Sequence, residues 1–410
     1  MTTLKDIQEV YLIGIGGIGM SALARYFHER GAKVSGYDRS PSPLTATLQS
    51  EGIPVHYADD PGLAASRPDL VIYTPAVPAG HTELTHYRDR GFPVLKRSQV
   101  LGMISKELFC ITVAGTHGKT TTSTLIAHIL RESGYGCNAF LGGISLNYDT
   151  NFWSNERGVA VIEADEYDRS FLQLEPDIAV LTAMDADHLD IYGTEDVLRD
   201  AFVDYTRQIR PGGTLVYKQG LPRTGEMGGE QKIAYSLAEE TADCYAADIR
   251  VVDGGYAFSI KGPAWKVDDV VLHSGGLHNV ENAVAAVTVA HHLAIPPEQI
   301  KKALASFRGI QRRFQYLIRT DRLVYIDDYA HHPEELKALI RGAKALFPQK
   351  HCTVIFQPHL YSRTKDMAAA FARVLDEAAT VILLPVYGAR EAPVPGVDSG
   401  VIAKEMKLEE

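Results

Sequence analysis

Gly115-Thr116-His117-Gly118-Lys119-Thr120-Thr121 is the stretch of this chain richest in potential chemistry. It follows an apolar, strand-like run at residues 108–114 and opens a stretch of helical spacing at 119–133, the setting of a phosphate-binding loop. In such a loop backbone N–H groups wrap a β-phosphate, the lysine reaches the β and γ oxygens, and the next hydroxyl holds Mg²⁺. Those last two roles fall on Lys119 and Thr120. The full pattern G-x-x-x-x-G-K-[ST] asks for glycine at position 113, where this chain has Val113. The match is a variant, and its Gly-Lys-Thr end in a strand–helix setting carries the assignment.

Two acidic motifs lie further on. Glu163-Ala164-Asp165-Glu166 follows a strand-like run at 159–162, and Asp187-His188-Leu189-Asp190 follows another at 178–182. Acids just past strand ends in a phosphate-loop domain stand at the carboxyl edge of the sheet, where they can ligate Mg²⁺. Glu163 and His188 are the ligands expected beside Thr120. Imidazole is an unusual ligand for a hard cation, admissible when phosphates supply the other oxygens. Glu166, Asp168 and Asp185 read equally well as solvated loop carboxylates, and a buried, purely structural His188 is the competing reading.

A second glycine loop, Gly14-Ile15-Gly16-Gly17-Ile18-Gly19, fits G-x-G-x-x-G between a strand and a helix, with Asp38 at the end of the next strand. There a pyrophosphate can rest on the helix N-terminus and the acid can accept a ribose hydroxyl. Alone this loop admits a nicotinamide dehydrogenase, or only a tight turn. The dehydrogenase reading leaves Lys119 and both acidic motifs without a task.

The elements that hold these residues alternate. Strand-like runs at 10–15, 33–37, 69–74 and 92–95 surround a helix at 21–30; further strands fall at 159–162, 178–182 and 214–217, and 220–231 reads as a loop. Runs at 256–260 and 265–271 alternate as an antiparallel edge before a helix at 279–293. Strands at 323–326, 353–356 and 380–385 follow. This is an α/β chain with mostly parallel sheets. Its 410 residues suit two or three domains, and the pattern divides at 1–106, 107–311 and 312–410: a Rossmann-like unit, a central phosphate-loop unit and a second Rossmann-like unit. With 41 Lys plus Arg against 51 Asp plus Glu, the net charge of −10 disfavours a general nucleic-acid binder. Cys110, Cys137, Cys244 and Cys352 form no CxxC pair and point to a reducing compartment. The apolar run at 10–24 ends in Ala22-Leu23-Ala24, like a signal-peptidase site, but Asp6 and Glu9 precede it. No other uncharged run approaches the ~20 residues needed to span a bilayer, so a soluble cytoplasmic protein is expected.

Taken in order, these motifs resemble the Mur ligases, ATP-dependent amide-forming enzymes of peptidoglycan synthesis. Further matches are Leu277-His278-Asn279-Val280-Glu281-Asn282-Ala283, Arg312-Arg313-Phe314-Gln315, Asp327-Asp328-Tyr329-Ala330-His331-His332-Pro333 and Phe356-Gln357-Pro358-His359. The resemblance covers nearly the whole chain. Within the family it is to the branch that adds L-alanine to UDP-N-acetylmuramate. The loop from Gly14 to Ser21 is typical of that branch, Phe202 stands where later-acting branches carry a carbamylated lysine, and the run from Val386 to Gly396 resembles the alanine adder's C-terminal signature. The alternative is the branch that recycles a whole tripeptide onto the same sugar nucleotide; the Phe171-Leu172-x-Leu174-x-Pro176 run favours the alanine adder.

The resemblance implies roles. The first unit would bind the UDP-sugar and not NAD, through the Gly14–Gly19 loop with Asp38, Ser40, Thr74, His81 and Arg97. The middle unit would bind ATP through Gly115–Thr121 and through His278, Asn279 and Asn282, whose plainer reading is helix capping. Arg313 or its neighbour Arg312 would neutralise the transferring phosphoryl group, and Asp328 would accept the ATP ribose hydroxyls. The third unit would bind alanine through Tyr329, His331 and Arg363, while His332 before Pro333 reads as structural. Some members carry arginine where this chain has Leu360, which leaves the amino-acid carboxylate mainly to Arg363. The third unit ends at Glu410, several dozen residues short of the usual family end, and is expected to be incomplete. ATP and Mg²⁺ are the implied cofactors, with no nucleic acid, membrane or obligatory protein partner.

Overall fold

A computed structural model describes residues 4–185, 189–389 and 391–407, without the side chains of Lys5, Leu189 and Asp190. The first sheet has five parallel strands in the spatial order Val55–His56, Lys33–Tyr37, Glu9–Ile13, Leu70–Tyr73, Val94–Lys96. The chain reverses direction of winding between Glu9–Ile13 and Leu70–Tyr73, and such switch points open a ligand crevice at the carboxyl ends of the strands. Gly14 follows one of these strands and Thr74 the other. The central strand stops at Ile13, earlier than its apolar run suggests, because Gly14 turns the backbone at φ +86°. The helix Ile18–Glu29 then starts directly from the extended Gly17.

The second sheet has ten strands: Trp265–Leu272, Gly255–Gly262, Cys244–Val252, Gln231–Ser236, Thr214–Lys218, Ile178–Leu181, Phe109–Ala114, Val159–Glu163, Asn138–Ser145 and Thr150–Trp153. Pairing is parallel from Cys244–Val252 through to Asn138–Ser145 and antiparallel at both edges. The strand that feeds the phosphate loop therefore sits between the two strands that feed the acidic motifs. Helices Lys119–Glu132 and Leu277–His292 are buried along most of their length on one face of the sheet. Residues 220–230 form a loop with one short 3-10 turn, Thr224–Glu226, and Gln231, expected in that loop, already opens the strand Gln231–Ser236.

The last part of the chain carries an antiparallel pair, Gln315–Arg319 with Val324–Asp327, and a parallel pair, Thr353–Phe356 with Thr380–Leu383. Helices Pro333–Leu346 and Ala368–Leu375 cover the inner face of the parallel pair through Leu336, Ile340, Phe371 and Leu375. The molecule is thus a mixed α/β fold built in three parts, with mostly parallel sheets. Among the described residues no helix is long and apolar enough to cross a membrane.

One apolar cluster runs across the first and middle parts, which also have clusters of their own. Tyr26 of helix Ile18–Glu29 packs on Phe140 and Phe152 of the edge hairpin, with ring centroids 5.3 and 6.1 Å away. Beside these rings the buried Asn151 donates to the Ile18 carbonyl (2.5 Å) and the Ser21 hydroxyl (3.1 Å), and accepts from Arg25. Arg25 is held from its other side by Glu51 at 2.7 Å.

Candidate functional site

The phosphate loop leaves strand Phe109–Ala114 through Gly115, whose φ of +133° and tight surroundings exclude a side chain: a Cβ there would overlap the Thr182 hydroxyl. Gly118, at φ +82°, caps helix Lys119–Glu132, and a Cβ on it would stand 2.7 Å from Asn282 Oδ1. Strand Ile178–Leu181 stitches the loop in place. Thr182 donates its N–H to the Ala114 carbonyl (3.0 Å) and its hydroxyl to the His117 carbonyl, and the Thr116 N–H donates to the Ala183 carbonyl at 3.2 Å. Thr116 is buried and Thr121 half-buried at the start of the helix.

Lys119 Nζ donates to the Gly115 carbonyl at 2.7 Å and to Glu166 Oε1 at 2.8 Å. Burial works against its charge, but Glu166, Asp165 and Glu163 outweigh that and raise its pKa above the ordinary lysine value. Glu166 is a buried counter-ion whose own carbonyl accepts from Tyr192 at 2.6 Å. Asp168 faces Lys96 at 3.2 Å, and Asp185 is largely exposed.

Thr120 donates to Glu163 Oε1 at 2.9 Å, and the Gly142 N–H donates to Glu163 Oε2 at 2.9 Å. Burial raises the Glu163 pKa against the pull of Lys119, and a Cβ on Gly142 would overlap the Glu163 carboxylate. A half-buried carboxylate beside a hydroxyl is an oxygen donor pair that fits a hard cation such as Mg²⁺, which takes its remaining ligands from phosphate and water. His188 lies outside the described residues.

A cavity of about 280 Å³ opens between the first and middle parts, lined by Gly17, Ile18, Gly19, Thr74 and Arg97 on one side and by Gly142, Glu163 and Asp165 on the other. Arg97 crosses it, with Nη2 3.5 Å from Asp165 Oδ2. Asp38, Ser40 and His81, like Gly14 and Gly16 of the loop, do not line this space. The Asp38 carboxylate accepts the Gly16 N–H at 2.7 Å and so holds the loop itself, while Gly14 and Ile15 donate to the Tyr37 carbonyl. Ser40 is exposed. His81 is buried with its ring edge on Tyr37, 4.6 Å between centroids, and its Nδ1 3.2 Å from Asp59.

At the start of helix Leu277–His292, Asn279 donates to the Ser274 hydroxyl (3.0 Å) and the Gly275 carbonyl (2.7 Å), and accepts from Asn282 at 3.3 Å. Asn279 therefore fixes the helix start, and Asn282 faces the phosphate loop. Burial and the nearby Arg313 both disfavour protonation of His278. Asp328 accepts the Phe314 N–H (2.6 Å) and the Ala330 N–H (2.7 Å), which ties the residue after the Arg312-Arg313 pair to the turn at Asp328–Ala330. Burial raises the Asp328 pKa against those hydrogen bonds. Arg312 and Arg313 lie 5.2 and 5.9 Å from the Tyr329 ring centroid.

Tyr329, His331, His359 and Tyr387 form a chain of ring contacts with centroids 5.2, 5.9 and 5.7 Å apart. Arg363 stands on the short helix Tyr361–Asp366 with Nη1 buried and, among the described residues, lacking a hydrogen-bond partner, an arrangement that suits an incoming carboxylate. His332 caps helix Pro333–Leu346. Sequence reasoning passed over Gly142, Thr182 and Glu335, which reach the site only through tertiary approach; the Gly142-Gly143 pair inside an apolar run was the one available signal.

The chain matches three family models: "Mur ligase family, catalytic domain" over residues 9–108, "Mur ligase middle domain" over 113–290 and "Mur ligase, glutamate ligase domain" over 312–410. It is 49% identical over 403 residues to a UDP-N-acetylmuramate–L-alanine ligase of Porphyromonas gingivalis, covering 97% of this chain and 88% of that one. Identity to the protein of the same name from Flavobacterium johnsoniae is 45% over 407 residues, covering 98% and 89%. Among solved structures it is similar to the UDP-N-acetylmuramate-alanine ligase of Thermotoga maritima, with a TM-score of 0.79 at 29% identity over 92% of this chain and 85% of that one. It shares its fold with a murein peptide ligase from Psychrobacter arcticus, with a TM-score of 0.72 at 23% identity over 97% and 88%.

Proposed function

The chain belongs to the Mur ligase family, and from that premise we propose that it joins L-alanine to the lactyl carboxylate of UDP-N-acetylmuramate, with conversion of ATP to ADP and phosphate, in peptidoglycan precursor synthesis. One observation carries the reading beyond the relatives' names. The glycine loop Gly17–Gly19 and the acid Glu163, which touches Thr120 of the phosphate loop, face one cavity. A sugar nucleotide held by the loop would present its carboxylate beside the γ-phosphate.

The chemistry then follows from what a carboxylate lacks. It is a poor electrophile, so one of its oxygens attacks the γ-phosphorus and ADP leaves. The alanine nitrogen attacks the acyl carbon of the resulting acyl phosphate, inorganic phosphate leaves, and the amine loses a proton. Lys119 and Arg313, with Arg312 beside it, would offset charge on the transferring group. Thr120, Glu163 and His188 would hold Mg²⁺, which neutralises phosphate charge when bound. His278, Asn279, Asn282 and Asp328 would receive the adenosine, Asp328 through its remaining lone pairs. Tyr329, His331 and Arg363 would receive alanine, with Arg363 on its carboxylate.

In this reading residues 1–106 serve the UDP-sugar, 107–311 ATP and 312–410 the amino acid. Asp38, Ser40 and His81 would reach the nucleotide outside the central cavity. The reading includes a cytoplasmic location and turnover without a protein partner. The test is phosphate release with MgATP, UDP-N-acetylmuramate and one amine at a time. Release is expected with L-alanine and, more weakly, with glycine or L-serine, because a missing methylene (glycine) or an added hydroxyl (L-serine) is discriminated by only ~1–3 kcal/mol in such a pocket. Preference for the tripeptide would move the chain to the recycling branch, and release with neither amine would overturn the reading.

A further inference from the structure

Glu335 occupies the third position of helix Pro333–Leu346, where a glutamate ordinarily reaches back to the N-cap N–H and does nothing more. Here its two oxygens face different ways. Oε2 accepts the N–H groups of His331 (3.0 Å) and His332 (3.2 Å) and lies 3.4 Å from His331 Nδ1. Oε1 is 3.9 Å from Nδ1 of His117, in the middle of the phosphate loop. His117 Nε2 is in turn 3.9 Å from Asp185 Oδ2 on the far side. The His117 carbonyl accepts from Thr182, which ties the loop backbone beside this imidazole to the neighbouring strand end. On the other side His331 is tied to Tyr329, with Nδ1 2.9 Å from the Tyr329 carbonyl. One carboxylate therefore spans the gap between the loop that cradles phosphates and the pair of rings expected to meet the amino acid.

We propose that Glu335 is a positioning residue that couples occupancy of the phosphate loop to the amino-acid site, through His117 on one side and His331 on the other. The inference rests on the ligase reading above. Phosphates entering the loop draw its N–H groups inward and move His117 relative to Glu335. A carboxylate that holds His117 also holds the helix start that orients His331. Alanine then meets an ordered pocket only when the nucleotide is in place. Coupling of this kind is reciprocal, so alanine must tighten nucleotide binding by the same factor.

The experiment measures the Kd of a non-hydrolysable ATP analogue with Mg²⁺ and UDP-N-acetylmuramate, with and without saturating L-alanine. In the wild type alanine should tighten the analogue by about fivefold or more. Glu335→Gln keeps an acceptor oxygen and the capping shape and should bring that factor close to one, raising the alanine KM more than it lowers kcat. His117→Asn should do the same by itself, which preserves the test if the Glu335 variant folds poorly. The double variant should be no worse than Glu335→Gln, since both act through one contact. Additive losses in the double variant, or an unchanged factor in either single one, would overturn the proposal, as would a wild type that ligates alanine without any coupling. A wild type that releases no phosphate with alanine points instead to failure of the ligase reading.

Discussion

Lys119 has three N–H bonds to give, and two of them already go to the Gly115 carbonyl and Glu166. The third is the one a phosphate oxygen can take, so the buried carboxylate aims the ammonium as well as balancing it. Lys119→Ala should lower kcat on the order of a hundredfold or more by removing this charge from the phosphoryl group. It should leave the affinity for UDP-N-acetylmuramate unchanged, because the glycine loop of the first part is untouched; isothermal titration against the sugar nucleotide and a phosphate-release assay check the two halves. Arg363 makes a complementary case. Its buried Nη1, unpartnered among the described residues, suits one carboxylate, and Arg363→Ala should raise the alanine KM by roughly tenfold to a hundredfold with little change in the ATP KM. Equal shifts in both constants would place Arg363 elsewhere in the reaction. At this scale the sequence exposes residue types in motifs and hides their partners. The lysine, Thr120 and Glu163 were legible because loop and acid each follow a strand. Glu166 stayed open between a Mg²⁺ ligand and a solvated carboxylate because nothing local announces that it folds under Lys119.

The helix Thr82–Asp89 shows how an element can carry a titration. Its Glu83 is fully buried and accepts from the Tyr11 hydroxyl of the central strand at 2.6 Å, with His56 Nε2 3.5 Å away at the end of strand Val55–His56. Burial lifts the Glu83 pKa from 4.5 to about 7. Between those values the folded chain keeps a proton that the unfolded chain has lost, so this group's contribution to stability is full below pH 4.5 and falls as pH rises to 7. The loss amounts to on the order of 3 kcal/mol. His56 and His81, whose pKa values are lowered chiefly by burial, act in the opposite sense. Denaturant titrations of wild type and Glu83→Gln from pH 4 to 8 isolate the carboxyl: the variant should gain stability relative to wild type as pH rises, and parallel curves would refute the assignment. Elements themselves were mostly legible, since buried parallel strands are short apolar runs. The edge hairpin Asn138–Ser145 with Thr150–Trp153 escaped because Gly142-Gly143 reads as a loop, while the backbone there needs glycine to approach Glu163.

Across the whole molecule, the seam between the first and middle parts is closed by Asn151, which joins the start of helix Ile18–Glu29 to the edge hairpin. Asn151→Ala would leave the Ile18 carbonyl and an arm of Arg25 without that partner, at a cost of about 1–3 kcal/mol. The expected result is a higher KM for UDP-N-acetylmuramate with an unchanged Kd for the ATP analogue, read by steady-state kinetics and titration. A shift in both, or in neither, would deny the seam its role in placing the glycine loop. No motif in the sequence points to this seam: Asn151 sits in an unremarkable polar stretch, and its importance arises only when two distant segments meet.

The shared packing of Tyr26 with Phe140 and Phe152 has a thermodynamic consequence. Two units with no packing in common can melt one after the other, but these two are coupled, because the rings buried by one belong in part to the other. Calorimetry should show residues of the first and middle parts losing structure in a single cooperative transition. Residues 1–106 expressed alone should expose the apolar side of helix Ile18–Glu29 and populate the unfolded state. The crevice beside the Gly14–Gly19 loop and the phosphate loop would then be lost at one temperature, so that no half-melted form keeps one without the other.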